Sequence, residues 1–105
     1  MILVLETNGG ELNLFSTTTE AESHLEVIDI ENHEYEFCDD LGQRLVGEIT
    51  VPITTFGSGS FRLRPEGLPD KAIFDSIISR AHDLARGCGG VKTLDDLRRS
   101  HNRPQ

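Results

Sequence analysis

The run Glu34-Tyr35-Glu36-Phe37-Cys38, followed by Asp39-Asp40-Leu41-Gly42, restricts the possible folds of this chain more than any other stretch. Its polar and apolar residues alternate, and at two residues per repeat that puts Tyr35 and Phe37 on one face of a strand and both glutamates on the other. Asp39 supplies the side-chain acceptor that a type I turn wants, and Gly42 the residue that reaches positive φ, as in a hairpin closed by a bulge. The resulting register sets Asp39 against Gln43, Cys38 against Arg44, Phe37 against Leu45 and Tyr35 against Gly47. It also sets Glu34 against Glu48, a like-charge pair that opposes it.

Upstream, Ile2 to Glu6 and Glu11 to Phe15 flank Thr7-Asn8-Gly9-Gly10. Asn-Gly between two apolar-rich runs predicts a β-hairpin. Ser16 to Ser23 breaks the pattern and reads as a solvated loop, although Thr17 and Glu20 have the spacing of a capping box for one helical turn. Leu25 to Ile30 reads as a third strand with a slip in its alternation, Leu25 and Val27 facing one way and Ile28 and Ile30 the other. That slip implies cover on both sides or a bulge. Through Glu31-Asn32-His33 this strand leads into the central hairpin, giving an antiparallel meander from Leu25 to Val51. Pro52 cannot donate to a ladder and marks either the end of that strand or an exposed edge running on to Phe56. After the turn Gly57-Ser58-Gly59-Ser60, Phe61-Arg62-Leu63-Arg64 alternates as the last strand.

Pro69 and Asp70 suit the first turn of a helix, and Ile73, Phe74, Ile77, Ile78, Ala81, Leu84 and Ala85 recur at three- and four-residue spacing. Gly87 suits the left-handed position that ends such a helix. Its expected cover is Tyr35, Phe37, Leu45, Ile49, Phe61 and Leu63. Thr93 with Asp96 starts a short second helix, Leu94 to Arg99, and residues 100–105 read as a flexible tail. The chain's 105 residues suffice for one domain with a modest core. The expected fold is α+β: a twisted antiparallel sheet of five to six strands, hairpin plus meander, with one amphipathic C-terminal helix packed on one face and a short second helix.

Charge is segregated along the chain. Residues 1–43 hold eleven acids and no lysine or arginine, and every cation lies from Arg44 onward, where the balance is +3. Such asymmetry suggests a charged partner, and the net charge of −8 disfavours direct binding of nucleic acid. No apolar run approaches a membrane span. The start lacks a basic segment, and Cys38 and Cys88 resemble neither a disulfide framework nor a zinc set, so the expected compartment is the cytoplasm.

Motifs for chemistry are incomplete. His33-Glu34-Tyr35-Glu36 begins like a zinc-protease helix, but Phe37 stands where the second histidine belongs. Strand alternation separates His33 from Cys38, which disfavours a metal set built from them with Asp39 and Asp40. Asp29 to His33 alternates oxygen ligands like a calcium loop, but Glu34 replaces its glycine. Gly87-Cys88-Gly89-Gly90 lacks the preceding strand and the lysine of a phosphate loop and reads as a flexible linker. No nucleophile, base and orienting acid come together, so no enzyme activity and no cofactor are expected. The expected function is a small acidic binding protein, of the inhibitor or immunity type, docking on a basic protein such as a nuclease toxin. Glu26, Glu31, Glu34, Glu36, Asp39 and Asp40 are its candidate contact residues. The alternatives are a subunit that self-associates through Arg62, Arg64, Arg98 and Arg99, and a small-ligand or metal-binding domain.

Overall fold

The computed structural model describes residues 1–101. It contains β1 (Ile2–Glu6), β2 (Glu11–Phe15), α1 (Thr18–His24), α2 (Val27–Glu31), β3 (Tyr35–Asp39), β4 (Arg44–Val51), β5 (Ser60–Pro65), α3 (Lys71–Arg80), β6 (Asp83–Arg86) and α4 (Leu94–His101). The strands form one sheet in the order β5-β4-β3-β1-β2-β6. The α+β class read from the sequence stands, as does the short C-terminal helix. Four of the pairings in the sheet are antiparallel, and β2 with β6 is parallel.

β1 lies in the middle because Ile2-Leu3-Val4-Leu5 is apolar on both faces, as a strand covered on both sides must be. Ile2 and Val4 join Phe15, Phe37, Leu45, Phe61 and Leu63 in a core beneath Ala21 of α1 and Val27 and Ile30 of α2. Leu3 and Leu5 join Leu12, Leu14 and Cys38 in a second core beneath Phe74, Ile77 and Ile78 of α3 and Leu97 of α4. The expected cover for the long helix is therefore corrected. Phe37, Leu45, Phe61 and Leu63 face the two short helices, and α3 packs on the opposite side of the sheet.

The central hairpin pairs Phe37 with Leu45 and Cys38 with Arg44, and Asp39 N–H donates to the Gln43 carbonyl at 3.0 Å. Asp39 Oδ1 accepts from the N–H groups of Leu41 and Gln43, and Gly42 takes φ 80°. Beyond Phe37 the ladder stops, so Tyr35 does not pair with Gly47 and the opposing glutamates never meet. α2 fills the gap: a methyl on Gly47 would come 2.6 Å from Ile30 Cγ2. Glu48 instead pairs with Arg62 in the β4–β5 ladder and lies 3.0 Å from Arg64 Nε.

Three further assignments are corrected. Ser16 to Ser23 is not a loop, because Thr17 Oγ1 accepts from Glu20 N–H at 3.1 Å and caps α1. Leu25 to Ile30 is not a strand. Val27 and Ile30 are buried while Ile28 is half exposed, a helical spacing that imitates a slipped alternation. The stripe from Ile73 to Ala85 is not one helix, because at Ala81 the backbone turns extended and His82 N–H donates to the Gly10 carbonyl at 2.8 Å. That bond lays Asp83 to Arg86 along the open side of β2, whose backbone groups need a partner.

Gly87 therefore caps no helix, and Gly87 to Gly90 is no flexible linker. Cys88 and Val91 exchange backbone hydrogen bonds around Gly89 and Gly90, both at positive φ, as a type I′ turn requires. α4 continues through Ser100 to His101, so the expected tail does not begin at Ser100, and residues 102–105 lie outside the described residues.

Candidate functional site

Pairing and alternation bring carboxylates to one end of the sheet. In the β1–β2 hairpin Leu5 faces Leu12, so Glu6 and Glu11 follow as neighbours across the strands. Glu6 is paired on its other side with Tyr35, and Glu11 with Asp83. Glu6, Glu11 and Asp83 thus form a row across three adjacent strands, each step about 4.8 Å of strand spacing, and Glu34 stands one position before Tyr35 with its carbonyl against Thr7. Alternation points Glu6 to the side of Ile2 and Val4, Glu11 to that of Phe15, and Asp83 away from Leu84, all toward the α1 and α2 side. On that same side α2 contributes Asp29 and Glu31.

Local bonds hold this end in place. Thr7 N–H and hydroxyl both donate to the Glu34 carbonyl, at 3.0 and 3.2 Å, and Gly10 N–H donates to the Glu6 carbonyl at 2.9 Å. His33 sits at φ 53°, a left-handed position that turns the chain from α2 into β3. Among the described residues none of Glu6, Glu11, Asp29, Glu31, Glu34 and Asp83 has an ion-pair partner.

The local potential is correspondingly negative. A side-chain hydrogen bond with Asp29, partial burial and the charges of Asp29 and Glu6 raise the Glu34 pKa above the ordinary carboxylate value. The Tyr35 hydroxyl lies 3.4 Å from Asp29 Oδ2, and burial together with the charges of Asp29 and Glu6 pushes its pKa up to about 12. Among the described residues no group of three or more His, Cys, Asp or Glu side chains is arranged to hold a metal ion.

The six residues expected at the contact surface do not share one face. Glu31 and Glu34 belong to the acidic end, and Glu26 is the exposed residue before α2. Glu36 points to the α3 side, where Arg80 and Arg44 engage it and the Arg80 hydrogen bond lowers its pKa. Asp39 is occupied within its own turn, and Asp40 lies 3.4 Å from the Met1 nitrogen at the far end of β3. Sequence reading missed Glu6 and Glu11, although the register of the first hairpin already made them neighbours. It missed Asp83 because that residue was assigned to a helix.

The candidate chemical groups lie apart. Cys38 is fully buried, and burial pushes its thiol up to about 12, whereas His33 is exposed in its turn. The backbone N–H groups of Cys88 and Val91 serve each other and are not free for a phosphate. No helix among the described residues is long and apolar enough to cross a membrane. A scan against protein-family models, a search of curated proteins and a search of solved structures each gave no significant match.

Proposed function

We propose that this chain is a non-enzymatic binding protein that docks on a cationic protein through the carboxylate row Glu6, Glu11 and Asp83, with Glu34, Asp29 and Glu31 near its β3 end. The observation that supports this reading is the row itself: like charges on adjacent strands oppose one another, and among the described residues no cation lies within ion-pair distance of them. A rule broken with no ion pair among the described residues to offset it is most economically explained by a partner that supplies the missing charge. An array of carboxylates at strand spacing resembles a polyanion in charge, which suits an inhibitor or immunity protein that occupies the substrate channel of a basic enzyme such as a nuclease toxin.

Self-association is less favoured, because Arg64 and Arg98, two of the four cations it relies on, are already paired with Glu48 and Asp95. The test is the association rate against a panel of basic nucleases at low and high salt. The wild-type chain should bind at least one of them at a rate that falls with salt. Glu11→Lys with Asp83→Lys should slow that association about 10-fold or more while leaving the fold intact. Absence of binding to the whole panel at low salt, or rates unchanged by the double reversal, would refute the proposal.

A further inference from the structure

On the same side of the sheet as the acidic row, but at its β5 edge, three strands from β1, a groove opens between the joint of α1 and α2 and the arm that connects β4 to β5. It encloses about 570 Å³ and is floored by Leu25, Val27 and Phe61. Ile28 and Ile53 stand at its mouth, 50% and 39% exposed. Its rim carries the carboxylates of Glu22 and Glu26, and among the described residues no lysine or arginine lines it. Val51, at the end of β4, and Phe56, in the arm, are also exposed, at 53% and 99%. Volume and lining fall in the range of sites that bury a side chain or small ligand, and contiguous exposed apolar surface with a polar rim marks contact sites.

We infer that this groove receives an apolar side chain of a cationic protein segment, flanked by lysine or arginine residues that reach Glu22 and Glu26. The inference rests on the docking function proposed above and names the anchor that such docking uses. Three observations select this occupant. Both charged groups on the rim are anionic, so charge complementarity calls for cations. A second copy of the chain would bring another net charge of −8 to an acidic surface. Strand addition along β5 meets an obstacle, because Glu22 Oε2 already accepts the outward N–H of Leu63 at 2.7 Å. The partner therefore enters by a side chain and leaves the sheet edge alone. An acidic row alone would attract any polycation, whereas an apolar pocket on the same face lets the protein choose among them.

The experiment titrates the whole isotope-labelled chain with two capped pentapeptides of equal charge, Lys-Lys-Phe-Lys-Lys and Lys-Lys-Gly-Lys-Lys, at low salt, following backbone amide resonances. The phenylalanine peptide should bind about 10-fold more tightly, as partial burial of one aromatic side chain allows, and should move the amides of Leu25, Val27, Ile28 and Phe61. Ile28→Ser with Ile53→Ser changes two half-exposed positions and should abolish that discrimination while the spectrum stays that of the folded protein. Glu26→Lys should weaken binding of the phenylalanine peptide. Equal affinities for the two peptides, with shifts confined to Glu6, Glu11 and Glu34, would overturn the groove and leave the docking function standing. No shift with either peptide would overturn both.

Discussion

Removing the Glu22 carboxylate should destabilise the fold measurably, although it is one of eighteen acids in a chain of net charge −8. β5 is an edge strand, and alternation along its ladder with β4 turns the N–H groups of Phe61 and Leu63 outward. Pro65, next in that series, has no N–H to expose. Glu22, carried on α1, accepts the Leu63 donor at 2.7 Å in a partly buried position, tying a helix to a strand forty-one residues away. Hydrogen bonds to charged groups contribute about 1.5–3 kcal/mol, and an open groove lets water replace part of this, so Glu22→Ala should cost about 1–2 kcal/mol. For a domain of this size that corresponds to a fall in Tm of about 4–16 °C. Glu22→Gln loses the same charge but retains an acceptor, so it should recover about half of the loss. Paired urea and thermal melts give both values. Equal stability of Glu22→Ala and wild type, or equal losses for the two variants, would refute the assignment of this carboxylate as an edge cap. Concentration-dependent aggregation of Glu22→Ala alone is a further expected sign, because an uncovered edge pairs with other chains.

Gly47→Ala should cost about 1–2 kcal/mol of stability, seen as a lower urea midpoint, because its methyl would sit 2.6 Å from Ile30 Cγ2 where α2 packs against β4. A disulfide reagent should label one thiol per native chain, the partly exposed Cys88, and reach Cys38 only in denaturant, since Cys38 has no exposed surface and a thiol raised to about 12. Thermal stability should pass through a maximum on the mildly acid side, at about pH 5. Glu34 has a raised pKa, so the folded state binds its proton first and gains stability as pH falls toward the ordinary carboxylate value of 4.5. Glu20, Glu36 and Asp96 have lowered values, so their contributions are lost as pH falls further through those values. A Tm that declines steadily from neutrality to pH 4 would contradict that balance.

Local chemistry made part of the fold legible. Asn8-Gly9 announced the first hairpin, Asp39 with Gly42 fixed the register of the second, and Thr93 with Asp96 marked the start of α4, where Asp96 Oδ2 accepts the N–H groups of Lys92 and Thr93. Each of these signals is carried by residues a few positions apart. The errors arose where distant partners decide. Asp83 to Arg86 has the spacing to continue α3, and only the open side of β2, seventy residues earlier, turns it into a strand. Val27 and Ile30 fit a slipped strand and a one-turn helix equally well until Gly47 offers the helix a bare backbone to rest on. The uninterrupted Ile2-Leu3-Val4-Leu5 run did carry a longer-range message: a strand apolar on both faces needs two covers, and one C-terminal helix could not supply both.

The acidic site was legible as composition and hidden as geometry. Counting along the chain located the anions in its first part, but composition cannot separate a neutralised carboxylate from a free one. Glu36 and Glu20 look as exposed in sequence as Glu6 and Glu11, yet Arg80 and Arg86 reach them from segments beyond Arg44. The chain's charge segregation is thus partly cancelled by folding, because the helix and the last strand bring cations back over the acidic segment. Cancellation stops at the end of the sheet where β1 turns into β2, and there Asp83, from the cation-rich part, adds another negative charge. A fold that merely needed solubility would gain by placing an arginine at that position beside Glu11. The choice of aspartate is the step that turns a general excess of charge into a surface with one direction, on the same side of the sheet as a groove whose rim has the same sign.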